Sequence, residues 1–359
     1  MDPVIEKDLQ EIVSADYVDW RRFAGKRVLV TGANGMLPSY LVFTLLWLNR
    51  HKGLDVTVYA LARNAARLEA CFRDWLPDGQ LRFLVQDVCD PVMLDGPLDY
   101  IIHAASQASP RFYGVDPVGT LKANVLGTYH LLELARLKNV CGFLFFSSST
   151  VYGALEGPEP FVETRFGGID PLNVRNCYSE SKRLGENLCA CYAWQYGVKA
   201  KIVRIFHTFG PNVQPDDGRV FSDFCWAVAR RQDIVLKSDG RATRPFCYVA
   251  DAVKAYFKVL LDGEVALAYN VGGDAAHEIS MAGLACLLTG LYPERKLHVV
   301  FDIDENSLAY SKMRTPQVAQ PVDLGRISAL GWSQSLSLEE SFRRTIDSLE
   351  NHVNQRICS

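Results

Sequence analysis

Tyr178 and Lys182 stand four residues apart in the stretch NCYSESKRLGE, so on a helix both project from one face. Upstream, the apolar run FLFF from Phe143 ends in Ser147, Ser148, Ser149 and Thr150. A hydroxyl donor, a phenol and an ammonium are the parts of a proton relay. A free phenol titrates near ~10 and is a poor base at neutral pH. A lysine cation beside it stabilises the phenolate and makes a usable base.

Such a relay needs a buried strand ending beside a helix, and the chain supplies strands and helices in alternation. Residues 26–31 (KRVLVT) read as a short strand buried on both faces. Gly32-Ala33-Asn34-Gly35-Met36-Leu37-Pro38 follows, then a buried helix around Leu41 to Leu48. Strand, glycine turn and helix form the context of a dinucleotide-binding fingerprint. The glycines let the backbone approach a pyrophosphate, and the helix N-terminus favours its charge. Pro38 stands where a third glycine is usual. Proline suits a first helical turn, but its ring bears on how closely helix and strand pack.

Further strands are expected in DVTVYALA, LRFLVQDVCD, LDYIIHAASQASP, CGFLFFSSS and VKAKIVRIF. The second ends without the acid that binds the ribose hydroxyls in NAD sites; Arg63 follows it, able to hold a 2′-phosphate or to stack on adenine. NAD is therefore expected with NADP left open. Asp87 and Val88 close the third strand, where the acid either caps the adenine edge or starts a turn. The fourth strand ends in His103, Ala104, Ala105 and Ser106. The small residues let a cofactor lie against the backbone, and His103 reads as a hydrogen-bonded core residue. This alternation predicts an α/β fold with a Rossmann-type doubly wound parallel sheet. Three segments are expected: a helical extension over 1–24 packed on the surface, a cofactor-binding domain over 25–210, and a smaller α/β substrate-binding lobe over 211–359, partly interleaved with the sheet. Arg219, Arg241 and Arg244 lie in or beside loops of that lobe, where guanidiniums could clamp a diphosphate. Ser337 is the expected cap of a terminal helix.

The net charge of −3, from 38 basic and 41 acidic residues, gives no nucleic-acid footprint. No apolar run reaches the ~18 residues of a membrane span, and the acidic N-terminus lacks a signal-peptide pattern. None of the ten cysteines forms a CxxC pair, which argues against zinc and for reduced thiols in a cytoplasmic protein.

Taken together, TGANGML, HAAS, SSSTVYG, YSESK and RPFCYVAD resemble the extended short-chain dehydrogenase/reductase family of nucleotide-sugar epimerases, dehydratases and decarboxylases. The resemblance covers roughly residues 26 to 346. It implies a tightly held NAD that takes a hydride from sugar C4 while Tyr178 removes the hydroxyl proton. Ser148 would share that proton, and Lys182 would bind the nicotinamide ribose and lower the Tyr178 pKa. The 4-keto sugar can then be reduced from its other face, lose carbon dioxide if C6 is a carboxylate, or eliminate water. Dehydratases of the family carry Asp-Glu after this serine, and decarboxylases usually Ser-Glu; here the pair is Ser149-Thr150. That disfavours dehydration and fits 4-epimerases, including those of UDP-glucuronate. ASPRFYGVDPVGTLKANVLGT and DDGRVFSDF pull toward the UDP-glucuronate decarboxylases instead. The expectation is a 4-epimerase acting on a UDP-glucuronate-like nucleotide sugar, with decarboxylase as the alternative and a cofactor-binding protein without turnover as the competing class. Ser149, Thr150, His207, Arg219 and Arg244 are the expected substrate contacts, although His207 replaces the family's usual Asn. Gln320-Pro321-Val322-Asp323 lacks the family's usual arginine. The resemblance also implies a homodimer through two helices of each subunit, one of them bearing Tyr178.

Overall fold

β1 (Arg27–Thr31) has one half-buried residue and then four buried ones, as a strand covered on both faces must. The computed structural model describes residues 1–215, 217–303 and 320–357, with side chains as far as Asn351. β1 leads into α2 (Met36–Lys52), preceded by α1 (Pro3–Val13). β2 (Thr57–Ala62), α3 (Ala65–Phe72), β3 (Leu81–Val85), β4 (Tyr100–His103), α4 (Pro117–Lys138), β5 (Gly142–Ser148), α5 (Cys177–Tyr196) and β6 (Ala200–Ile205) follow. The seventh strand, β7 (Ala268–Val271), comes after α6 (Val220–Ala229) and α7 (Val249–Asp262). All seven pair in parallel in the order β7-β6-β5-β4-β1-β2-β3. The order reverses between β1 and β4, so their following loops flank the crevice where such sheets bind ligands.

α2 is buried without interruption from Pro38 to Leu48, because helices pack around it as well as the sheet. Pro38 is the third residue of this helix. An N–H there has no intrahelical partner, so proline removes no helical bond. The helix runs on to Lys52 and is closed by Gly53 at φ 62°.

The first 24 residues are not a surface addition. Ile5, Leu9, Ile12 and Val13 of α1 are buried in the main core. Asp8, fully buried, accepts from the Tyr40 and Tyr248 hydroxyls at 2.8 Å each and from Arg344 Nη1 at 2.8 Å. The extension thus joins α2, the start of α7 and the C-terminal helix (Leu338–Ile357), whose Glu340 N–H donates to Ser337 as the sequence suggested. α7 and β7 both come from beyond residue 210, and β7 completes the sheet beside β6. Among the described residues no helix is long and apolar enough to cross a membrane, and the cysteines are free thiols; Cys358 lies outside them.

Candidate active site

β5 is buried along its whole length and delivers Ser148 to its end. Two contacts fix α5 against it. Gly185 faces Phe145 so closely that a Cβ would lie 2.4 Å from the ring, so only glycine permits this approach. Glu186, one residue on, accepts from Ser147 Oγ at 2.5 Å and from Arg204 of β6 at 3.0 and 2.8 Å. This largely buried ion pair ties β5, β6 and α5 together behind the relay. Asn124 of α4 adds a bond to Ser181 at 3.0 Å.

Tyr178 and Lys182 therefore share one buried face, 7% and 3% exposed. Burial pushes the Tyr178 phenol up, while a hydrogen bond from Ser148 and the Arg219 guanidinium pull it down. Lys182 does not supply that pull here. Its Nζ donates to the Phe146 carbonyl at 2.6 Å and stands 5.7 Å from the Tyr178 ring centre. Burial lowers this ammonium to about 7, against the upward effect of Glu186. The cation acting on the phenol is Arg219, held by Asp217 (Nη2 to Oδ2 2.8 Å). The Tyr113 ring lies flat on Tyr178, with centroids 5.0 Å apart and planes 13° apart. Sequence reading missed Tyr113, Glu186 and Arg183. The last anchors the loop after Ser148 through the Val151 and Gly167 carbonyls, both at 2.7 Å.

A cleft of about 1630 Å³ runs past the glycine loop. Gly32, Asn34, Gly35 and Met36 line it, as do Arg63, Asp87 and Val88 after β2 and β3, and Ala105 and Ser106 after β4. Leu37 and Ala104 are not in its wall. Gly32 has φ 66°, and a Cβ there would meet Ala105 Cα at 2.8 Å, so the two loops close on each other only through glycine. Thr31 Oγ1 accepts from the Ala104 and Ala105 N–H groups, both at 3.1 Å, and meets His103 Nδ1 at 2.9 Å. His103 is buried and its pKa falls to about 3, so it is a neutral core residue as read from the sequence. Asp87 both turns the chain, accepting from Cys89 N at 2.9 Å, and faces Arg63 at 3.7 Å. Ser106 Oγ is buried with no partner among the described residues. An orphaned hydroxyl in a glycine-walled cleft fits a dinucleotide lying against this backbone.

Of the expected substrate contacts, Arg219 lines the cleft and so connects it to Tyr178, whereas Ser148, Tyr178 and Lys182 are not in its wall. His207 is held neutral, its pKa pulled to about 3 by burial and by Arg244 and Arg219. Arg244 is partly buried, donates to the Thr243 carbonyl at 2.7 Å and has no carboxylate partner among the described residues. These three groups converge as an anion-seeking set. Arg241 is not part of it; its side chain is 72% exposed beside Asp239. The Ser149 and Thr150 hydroxyls sit in a single turn capped by Ser148.

Residues 28–272 match the family described as NAD dependent epimerase/dehydratase. The UDP-glucuronic acid decarboxylase 6 of Arabidopsis thaliana is 32% identical over 316 residues, 88% of this chain and 86% of that protein. Two solved structures share the fold at 22% identity, each covering 91% of this chain and 99% of the other. They are UDP-glucose 4-epimerase from Thermotoga maritima (TM-score 0.75) and UDP-glucuronic acid 4-epimerase from Bacillus cereus in complex with NAD (TM-score 0.74). With its glycine loop, parallel sheet and matched length, the chain belongs to the NAD-dependent epimerase/dehydratase family.

Proposed function

We propose that this protein is a nucleotide-sugar 4-epimerase acting on UDP-glucuronate or a close relative. The observation that carries the reading is the pair after Ser148. Ser149 and Thr150 offer hydroxyls where elimination or proton delivery to carbon needs a carboxyl group. Bound NAD supplies the acceptor for the C4 hydrogen and its electron pair. The glycine loop, Asp87 and Ser106 would hold it, and Lys182 would meet its ribose. Tyr178 takes the proton of the C4 hydroxyl, helped by Ser148 and Arg219, and returns it when C4 is reduced from the other face. Arg244 and neutral His207 receive the anionic part of the substrate without a competing carboxylate.

A second reading, decarboxylation of the same substrate, is favoured by the 32% identical decarboxylase. One experiment separates them. The purified enzyme is incubated with UDP-glucuronate and the product weighed by mass spectrometry. An isomer of unchanged mass supports epimerisation, and loss of carbon dioxide supports the second reading. Tyr178→Phe is expected to stop either reaction, with a fall on the order of 10²- to 10⁴-fold, while retaining cofactor.

A further inference from the structure

We propose that the cofactor cleft takes NADP at least as tightly as NAD, with the 2′-phosphate held between the Arg63 and Arg67 guanidiniums. This rests on the reading of the cleft as the dinucleotide site. β1 and β2 run parallel with Thr31 opposite Leu61, and the Ala33 N–H donates to the Leu61 carbonyl at 3.1 Å. The chain therefore leaves β2 beside the glycine loop, and Arg63 is the first residue past the strand. In sheets of this type the adenosine ribose lies near that strand end, where an acid accepts from its 2′-hydroxyl. A carboxylate there also repels a 2′-phosphate.

None of residues 60 to 64 is acidic; they read Ala, Leu, Ala, Arg and Asn. Asn64 is committed elsewhere, because its Oδ1 accepts from the Arg67 N–H at 3.0 Å and caps α3. That cap fixes Arg67 in the first turn of α3, four positions after Arg63. Both arginines are exposed and both line the cleft. Arg63 faces Asp87 at 3.7 Å, an ion pair beyond hydrogen-bond reach, and Asp87 already accepts from the Cys89 N–H. Arg67 has no ion pair among the described residues. Neither guanidinium donates a hydrogen bond to a described residue, so each keeps its five N–H donors for a ligand.

The other cations of the wall are differently occupied. Lys122 acts electrostatically on Asp87 and Asp116, the same two acids that Arg63 acts on, and so shares in balancing them. Arg219 is tied to Asp217 at the substrate end. A phosphate monoester carries nearly two charges and three acceptor oxygens at neutral pH, which suits two planar forks better than one. An arginine that only stacked on the adenine would treat NAD and NADP alike, since the adenine is the same in both.

The test titrates the purified chain, freed of retained nucleotide, by calorimetry. The ligands are NAD, NADP, adenosine 2′,5′-bisphosphate and adenosine 3′,5′-bisphosphate. NADP is expected to bind at least as tightly as NAD, and the 2′,5′-bisphosphate more tightly than its isomer. Arg63→Ala and Arg67→Ala should each lower the ratio of NADP to NAD affinity roughly 10- to 100-fold, the range for losing a hydrogen bond to a charged group. Arg63→Lys should recover part of that ratio. Both side chains are exposed, and residual NAD binding reports that each variant is folded. NADP binding weaker than NAD binding would overturn the inference and leave the cofactor reading intact. So would an unchanged ratio in both variants, as a stacking arginine predicts, or equal binding of the two bisphosphates, as general charge attraction predicts. If neither dinucleotide binds, the cofactor reading fails and the inference with it.

Discussion

The Lys182 ammonium donates to the main-chain carbonyl of Phe146 at 2.6 Å, pointing to the strand rather than to the phenol. A buried ammonium facing one carbonyl is poorly compensated, which is why its pKa drops to about 7. The sign follows. Between about 7 and the ordinary lysine value of 10.5 the unfolded chain holds this proton and the folded apoprotein does not. The apoprotein therefore gains stability from this group as pH rises through that window. An anionic cofactor favours the charged form, so binding should draw a proton back in. Calorimetric titration with NAD in buffers of different ionisation heat is expected to show net proton uptake above neutral pH. Lys182→Met should abolish it; uptake unchanged in that variant would contradict the assignment.

Thr31 is the hinge of the cofactor loops. Its oxygen accepts two backbone N–H groups, so its own hydrogen goes to His103 Nδ1, and His103 gives its Nε2 hydrogen to Thr128 at 3.1 Å. Thr31→Val keeps the shape but leaves buried N–H groups unpaired, with an expected loss of about 1–3 kcal/mol in unfolding free energy. NAD affinity should fall with it, and Thr31→Ser should restore both. Denaturant melts and cofactor titrations of the three proteins check this.

Asp8 carries one charge against two phenols and a guanidinium. Burial still dominates and raises its carboxyl to about 6, despite the bonds from Tyr248, Arg344 and Tyr40. An acid whose folded pKa lies above its unfolded value favours the fold when protonated. Its stabilising contribution is present below about pH 3.8 and is lost as pH rises to about 6. Compared with Asp8→Asn, the wild type should lose roughly 3 kcal/mol of stability over that interval. Parallel stability curves for the two proteins would show that Asp8 does not titrate there. Asp8→Ala is the harsher change: it leaves Arg344 without this partner and should lower the melting temperature at every pH.

What could be read from the sequence was local and periodic. The strands from KRVLVT to VKAKIVRIF, the glycine turn and the Tyr178–Lys182 spacing are patterns over a few residues, and the sheet was built from them. Position 185 looked like any helical glycine. Its role depends on the ring of Phe145, forty residues earlier, and no local sequence pattern encodes a contact between residues so far apart. The same holds for Tyr113 on Tyr178, for Glu186 between Ser147 and Arg204, and for Asp8 between Tyr40 and Tyr248. The Lys182 expectation differed for a related reason. Four residues on a helix fix a shared face, but the rotamer chooses among partners on that face, and the Phe146 carbonyl was the nearer one.

α4 and α5 leave apolar side chains on their outer faces. These two helices pack against each other and yet leave Leu121, Tyr129 and Leu184 36%, 45% and 45% exposed. A shallow groove between them is lined by Leu121, Val125 and Leu184, with Glu180 and Arg183 at its side. An apolar strip with a charged edge suits a two-fold contact, in which the same face meets itself. The protein is therefore expected to run as a dimer, about twice its 40.1 kDa mass by light scattering. Leu184→Asp puts a charge in the middle of the strip and should give a monomer with unchanged circular dichroism. Because α5 also carries Tyr178 and Lys182, the monomer should lose activity as well. A wild type that remains monomeric at micromolar concentration, or an unaltered dimer in Leu184→Asp, would rule this face out as the contact.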